Sequence, residues 1–96
     1  MLIQITRFKS RLPADEVREL FESRVPRYRQ VPGLIQKYYL HYESDEHGAV
    51  YVWESPEALA DFRASELARS IGDTYQVEGE KDARLAEVVL TAHPVP

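Results

Sequence analysis

The chain has no cysteine in its 96 residues. That excludes a disulfide scaffold, a thiol nucleophile, a thiolate zinc site and an iron–sulfur cluster. It has only four glycines, and G-x-G-x-x-G, G-x-x-x-x-G-K and G-x-S-x-G are all missing. Without a phosphate cradle or a nucleophile elbow, no nucleotide cofactor is expected. No apolar run reaches the length of a membrane span, and no charged stretch ahead of an apolar one opens the chain. The expectation is a soluble, unexported, cytoplasmic protein with no membrane partner. Basic residues are in deficit, 12 Lys and Arg against 16 Asp and Glu. A net charge of −4 argues against nucleic acid as the partner.

What is present is ordinary globular composition, 44% hydrophobic and 29% charged. The length suits one domain, 1–96, with 92–96 as a tail. Charge is uneven. Residues 1–37 hold 8 of the 12 basic and 4 of the 16 acidic residues, so they carry about +4 and the remainder about −8.

Six elements can be marked out. Leu2 to Phe8 reads as a strand. Pro13, with Asp15 and Glu16 in the first turn, opens a helix carrying Val17, Leu20, Phe21 and Val25 at helical spacing. Pro26 should kink that helix or end it near Arg24. Pro32-Gly33 is a stop. Leu34 to Tyr42 is a second strand, 44–48 a turn, and Ala49 to Trp53 a third strand, so 34–54 form a hairpin. Ser55-Pro56-Glu57 starts a second helix with Ser as N-cap and Pro at the first helical position. Leu67 and Ile71 suit a continuation, or a short helix capped by Ser65, with Gly72 as its end. Residues 73–82 are polar and ambiguous. Leu85 to Thr91 is the last strand. The order β-α-β-β-α-β is the ferredoxin-like α+β arrangement: a four-stranded antiparallel sheet with both helices on one face. The strands carry apolar residues on both faces, so the uncovered face is a contact surface, and a homodimer packed sheet to sheet would bury it.

Aromatic residues concentrate in the hairpin. Tyr38, Tyr39, Tyr42, Tyr51 and Trp53 are five of the ten, within sixteen residues. Such residues suit an aromatic ligand, or a core and dimer interface. Phe21 and Phe62 face the same interior from the helices. A hairpin turn at 45–48 would pair Tyr42 with Tyr51. Tyr38, Tyr42, Tyr51 and Trp53 would then share one face, and Tyr39, His41 and Val52 the other; a turn one residue longer or shorter breaks this grouping. His41 is a candidate proton acceptor, Tyr51 a hydrogen-bond donor, and Arg7 a candidate for stabilising an anion. His41, His47 and His93 show neither H-x-H nor H-x-x-x-H spacing, so no metal is expected. The RNA-recognition fold shares the element order. However, Ala49 and Glu54 stand where its third-strand motif needs aromatics, and RNA binding is set aside.

Pro32-Gly33-Leu34, the aromatic strand, and Gly48-Ala49-Val50-Tyr51-Val52-Trp53-Glu54-Ser55-Pro56-Glu57-Ala58-Leu59 carry a likeness. The chain resembles the antibiotic-biosynthesis-monooxygenase group of the dimeric α+β barrel superfamily, in particular small bacterial monooxygenases of the YdhR type. The resemblance covers 1–91 in element order and 32–62 in motif. It implies a homodimer with a pocket between each sheet and its helices. It also implies a cofactor-independent monooxygenase acting on an aromatic or quinol-like small molecule. There His41, Tyr51 and Arg7 would be catalytic, and Tyr38, Tyr39, Tyr42, Trp53, Phe21 and Phe62 would hold the substrate, with no cofactor and no metal. Haem-degrading members use a His on the second helix, and Pro56 to Ile71 contains none. The Asn common in the oxygenase pocket has no counterpart, because the chain contains no Asn. A non-catalytic ligand-binding or regulatory homodimer and an isomerase or cyclase are the alternatives on this scaffold.

Overall fold

Alternation along β1 (Leu2–Ser10) buries Gln4 and Phe8 and leaves Ile5 and Arg7 outward. In the computed structural model, which describes residues 1–94, β1 is followed by α1 (Ala14–Tyr28), β2 (Leu34–His41) and β3 (His47–Trp53). Then come α2 (Pro56–Arg63), the single turns α3 (Glu66–Arg69) and α4 (Ile71–Thr74), and β4 (Val77–Glu87). The four strands form one antiparallel sheet in the order β2-β3-β1-β4. Tyr28 of α1 and Leu59 and Phe62 of α2 pack with Tyr51 and Trp53, and Val17 of α1 packs with Phe8. Both long helices therefore cover the same face, as the ferredoxin-like order implies.

Pro26 does not end α1, which runs on to Tyr28. A proline this late removes only the bond to the exposed Glu22 carbonyl, which water can replace. The buried Tyr28 ring, 5.8 Å from that of Phe62, rewards the last turn. The two serine caps behave as read. Ser55 Oγ accepts from Ala58 N–H at 3.2 Å, and Ser65 Oγ from Ala68 N–H at 3.2 Å. Gly72 lies inside α4 and does not stop it. The chain turns at Gln76, with φ 46, into β4.

β4 is displaced from its expected place. It starts at Val77 and ends at Glu87, so the polar stretch 77–84 is strand and Val88 to Thr91 is not. Nearly every β4 residue is exposed, because an edge strand with water on both sides needs no apolar alternation. Of the expected tail, 92–96, the last two residues lie outside the described ones.

The hairpin register also differs from the four-residue turn. Tyr42 N–H donates to Glu46 C=O at 2.8 Å and Asp45 takes φ 67, so His41 faces His47, Tyr39 faces Ala49 and Lys37 faces Tyr51. Tyr39 and His41 therefore share the helix-covered face with Tyr51 and Trp53. Tyr38 and Tyr42 lie on the open face with Val52. Gly48 is needed here, since a Cβ would sit 1.9 Å from the Thr6 carbonyl oxygen of β1. Trp53 is fully buried at the core centre, and its Nε1–H donates to Gln4 Oε1 at 3.1 Å. The open face presents Ile3, Ile5, Val50, Val52, Tyr38 and Leu40, with Ile5 43% and Tyr38 56% exposed. No helix among the described residues is long and apolar enough to cross a membrane.

Candidate functional site

Helix α1 and the β2–β3 hairpin flank a half-open cavity of about 520 Å³. Ala14, Asp15, Arg18, Phe21, Glu22 and Val25 line it from the helix, and Tyr39, Leu40, His41 and His47 from the hairpin. The Phe21 and Tyr39 rings form an apolar wall, centroids 4.6 Å apart. At the other end His41 and His47 stack, centroids 4.9 Å apart and tilted by 13°. His41 Nε2 lies 2.7 Å from Asp45 Oδ1. A carboxylate only accepts, so Nε2 carries the hydrogen, and in the neutral ring Nδ1 is the acceptor. His41 is about half exposed at the cavity rim. His47 is buried, and its pKa lies below the ordinary value because of that burial and the neighbouring His41, against a smaller opposing effect of Asp45. His41, Asp45 and His47 each bring a donor atom within 4.8 Å of the others. Linear spacing gave no sign of this cluster; the cross-strand register creates it.

Behind this cavity lies a group that sequence reasoning missed. Lys37 points inward, and its Nζ stands 3.3 Å from the Tyr28 ring centroid, 4.4 Å from Tyr39 and 4.6 Å from Tyr51. Burial, and then the Arg24 guanidinium, lower its pKa from 10.5 to about 6. Arg24 is itself buried, donating to Thr74 Oγ1 at 2.6 Å and to Ser70 Oγ at 2.5 Å, which ties α1 to the α3–α4 turns. The Tyr39 hydroxyl is buried without a partner among the described residues. Its pKa is pushed up to about 12 by burial and by Tyr28, against Arg24. Burial raises Tyr28, Tyr51 and Tyr75 in the same sense, so this interior holds neutral phenols and a weakly basic amine. Only strand parity could have revealed Lys37, and parity depended on the turn.

The candidate residues are not all brought together. His41, Tyr39 and Phe21 line the main cavity. Tyr51 and Phe62 border a smaller hollow of about 250 Å³ toward β4, with Gln4, Thr6 and Lys81. Trp53 is core. Arg7 lies on the open face, its guanidinium 4.3 Å from the Tyr42 ring, and the Tyr42 hydroxyl donates to Thr6 C=O at 3.0 Å. Tyr38 shares that face. Arg7, Tyr38 and Tyr42 are therefore separated by the sheet from His41.

The molecule is a small ferredoxin-like sheet with a cavity under α1. No protein-family model matches the chain, and no curated protein matches it. Solved structures do. SnoaB, a cofactor-independent oxygenase from Streptomyces nogalater, matches with a TM-score of 0.76 at 14% identity over 95% of each chain. An antibiotic biosynthesis monooxygenase matches with a TM-score of 0.76 at 19% identity, over 94% of this chain and all of the other. Rv0793 from Mycobacterium tuberculosis matches with a TM-score of 0.75 at 16% identity, over 96% and 98%. The chain has the fold of the antibiotic-biosynthesis-monooxygenase structures, and at these identities the likeness is one of fold.

Proposed function

We propose that the chain is a homodimeric, cofactor-independent monooxygenase acting on an acidic aromatic compound such as an anthrone or a hydroquinone. The observation that carries this reading is the His41–Asp45 pair at the rim of a cavity walled by Phe21 and Tyr39. A cavity of this size suits a fused-ring aromatic molecule. It is supported by the likeness of fold to SnoaB, a cofactor-independent oxygenase, and to an antibiotic biosynthesis monooxygenase.

In this mechanism His41 Nδ1 takes a proton from the substrate carbon or phenol, and Asp45 stabilises the imidazolium. The resulting anion gives electrons to O₂. For an anthrone, a hydroperoxide forms at the ring carbon and loses water, so CH₂ and O₂ become C=O and H₂O. The protein supplies the proton acceptor and a largely apolar wall, and the substrate supplies the electrons. Arg7, Tyr38 and Tyr42 belong to the dimer face in this reading, together with Ile5 and Val50, because an exposed apolar sheet face calls for cover.

Oxygen uptake with anthrone, without flavin or metal, tests the proposal. His41→Ala should lose at least tenfold in kcat while keeping the dimer. Unchanged uptake in that variant removes His41 from the role. Saturable binding with no uptake favours a ligand-binding dimer.

A further inference from the structure

The His41–Asp45 pair explains two of three clustered side chains. It leaves His47, a buried imidazole stacked on His41 across the hairpin and bordered by the rings of Phe8 and Phe21 at 6.0 and 6.4 Å. Directly opposed strand residues stand close enough for both side chains to reach one point between or above them. His41 and His47 are such a pair. The left-handed backbone at Asp45 turns the hairpin so that its carboxylate joins them. Two imidazoles and a carboxylate are the donor set of a borderline divalent cation.

The surroundings favour a cation. Asp15 lines the same cavity from α1, and the one basic residue there, Arg18, is paired with Glu22 at 3.2 Å. Donor atoms around a tetrahedral metal are roughly 3.4 Å apart. The cluster spans up to 4.8 Å, so its widest pair must close by about 1.4 Å while His41 and Asp45, 2.7 Å apart, open by about 0.7 Å. His41 and Asp45 are 55% and 80% exposed in their side chains, and rotamer changes in water can supply that movement while His47 stays fixed.

We infer that His41, His47 and Asp45 form a three-ligand binding site for a borderline divalent transition-metal cation of the zinc class. Its remaining coordination position opens toward the cavity under α1. The site does not rest on the oxygenase reading: a bound cation would occupy His41 and Asp45 and block the proton transfer proposed above, and binding is read without substrate.

Zn²⁺ is titrated into the full chain by calorimetry, with His41→Ala and Asp45→Asn as variants, asparagine keeping the left-handed turn while removing the carboxylate charge. Both positions are exposed, so circular dichroism should show the fold intact. The expected result is one Zn²⁺ per chain with a dissociation constant on the order of 10 µM or tighter. Each variant should weaken it at least tenfold. In NMR spectra the ring signals of His41 and His47 should shift together while those of His93 stay. Absence of binding up to about 1 mM overturns the site. So does binding that either variant leaves unchanged, or a shift confined to His93.

Discussion

Replacing Lys37 by methionine should stabilise the protein, and by an amount that depends on pH. The amine titrates at about 6 in the fold against 10.5 when free. Between those two values the unfolded chain holds a proton that the folded chain does not. Stability therefore rises with pH across that window, by about 1.4 kcal/mol per unit, and the cost of burying the amine is complete below pH 6. At pH 7 this cost is about 5 kcal/mol, and at pH 9 about 2 kcal/mol. Methionine has similar length and no charge, so the variant should exceed the parent by up to those amounts. The Tyr28, Tyr39 and Tyr51 rings pull the other way, because each cation–π contact favours the ammonium by about 0.5–2 kcal/mol. Burial wins because the ion pairs among the described residues leave Lys37 without a carboxylate, and Arg24 is close by. Urea unfolding at pH 7, 8 and 9, at one fixed protomer concentration, measures the gap. A gap that is the same at pH 7 and pH 9, or a less stable variant at pH 7, refutes the reasoning and shows the rings holding a charged lysine.

Gly48→Ala drives a methyl group against the Thr6 carbonyl and should cost about 3 kcal/mol or more in urea unfolding. Ser55→Ala removes the α2 cap and should cost about 1 kcal/mol by the same measurement. Ile5→Glu places a charge on the open sheet face. Native mass spectrometry should find the variant at the 11.1 kDa protomer mass while the parent runs as a dimer; a variant that stays dimeric moves the interface elsewhere.

The element order and the Ser55-capped helix were legible because each rests on local chemistry, and the structure chooses the Ser65-capped short helix over a continuation of α2. Ser55-Pro56-Glu57 carries its own start signal, and Leu34 to Trp53 reads as a hairpin from composition alone. β4 was misplaced because Glu78, Glu80, Lys81 and Asp82 sit on an edge strand, where no buried face demands apolar residues. The site was legible in part. His41, Tyr39 and Phe21 were recognisable by type, and they do meet. Arg7, Tyr38 and Tyr42 were assigned with them, yet the register sends those three to the other side of the sheet. One turn decided this: a left-handed residue at Asp45 sets which hairpin side chains point inward. Lys37 and His47 were missed for the same reason, since their burial follows from register and not from residue type.

The most direct test of a metal-free oxygenase at this cavity is isotope tracing. The protein would turn over anthrone under ¹⁸O₂ with a chelator present and no flavin added. One atom of ¹⁸O in the product carbonyl and one O₂ consumed per product are the expected result, lost in His41→Ala. A product whose new oxygen comes from water, or no product without added metal or flavin, would contradict the assignment.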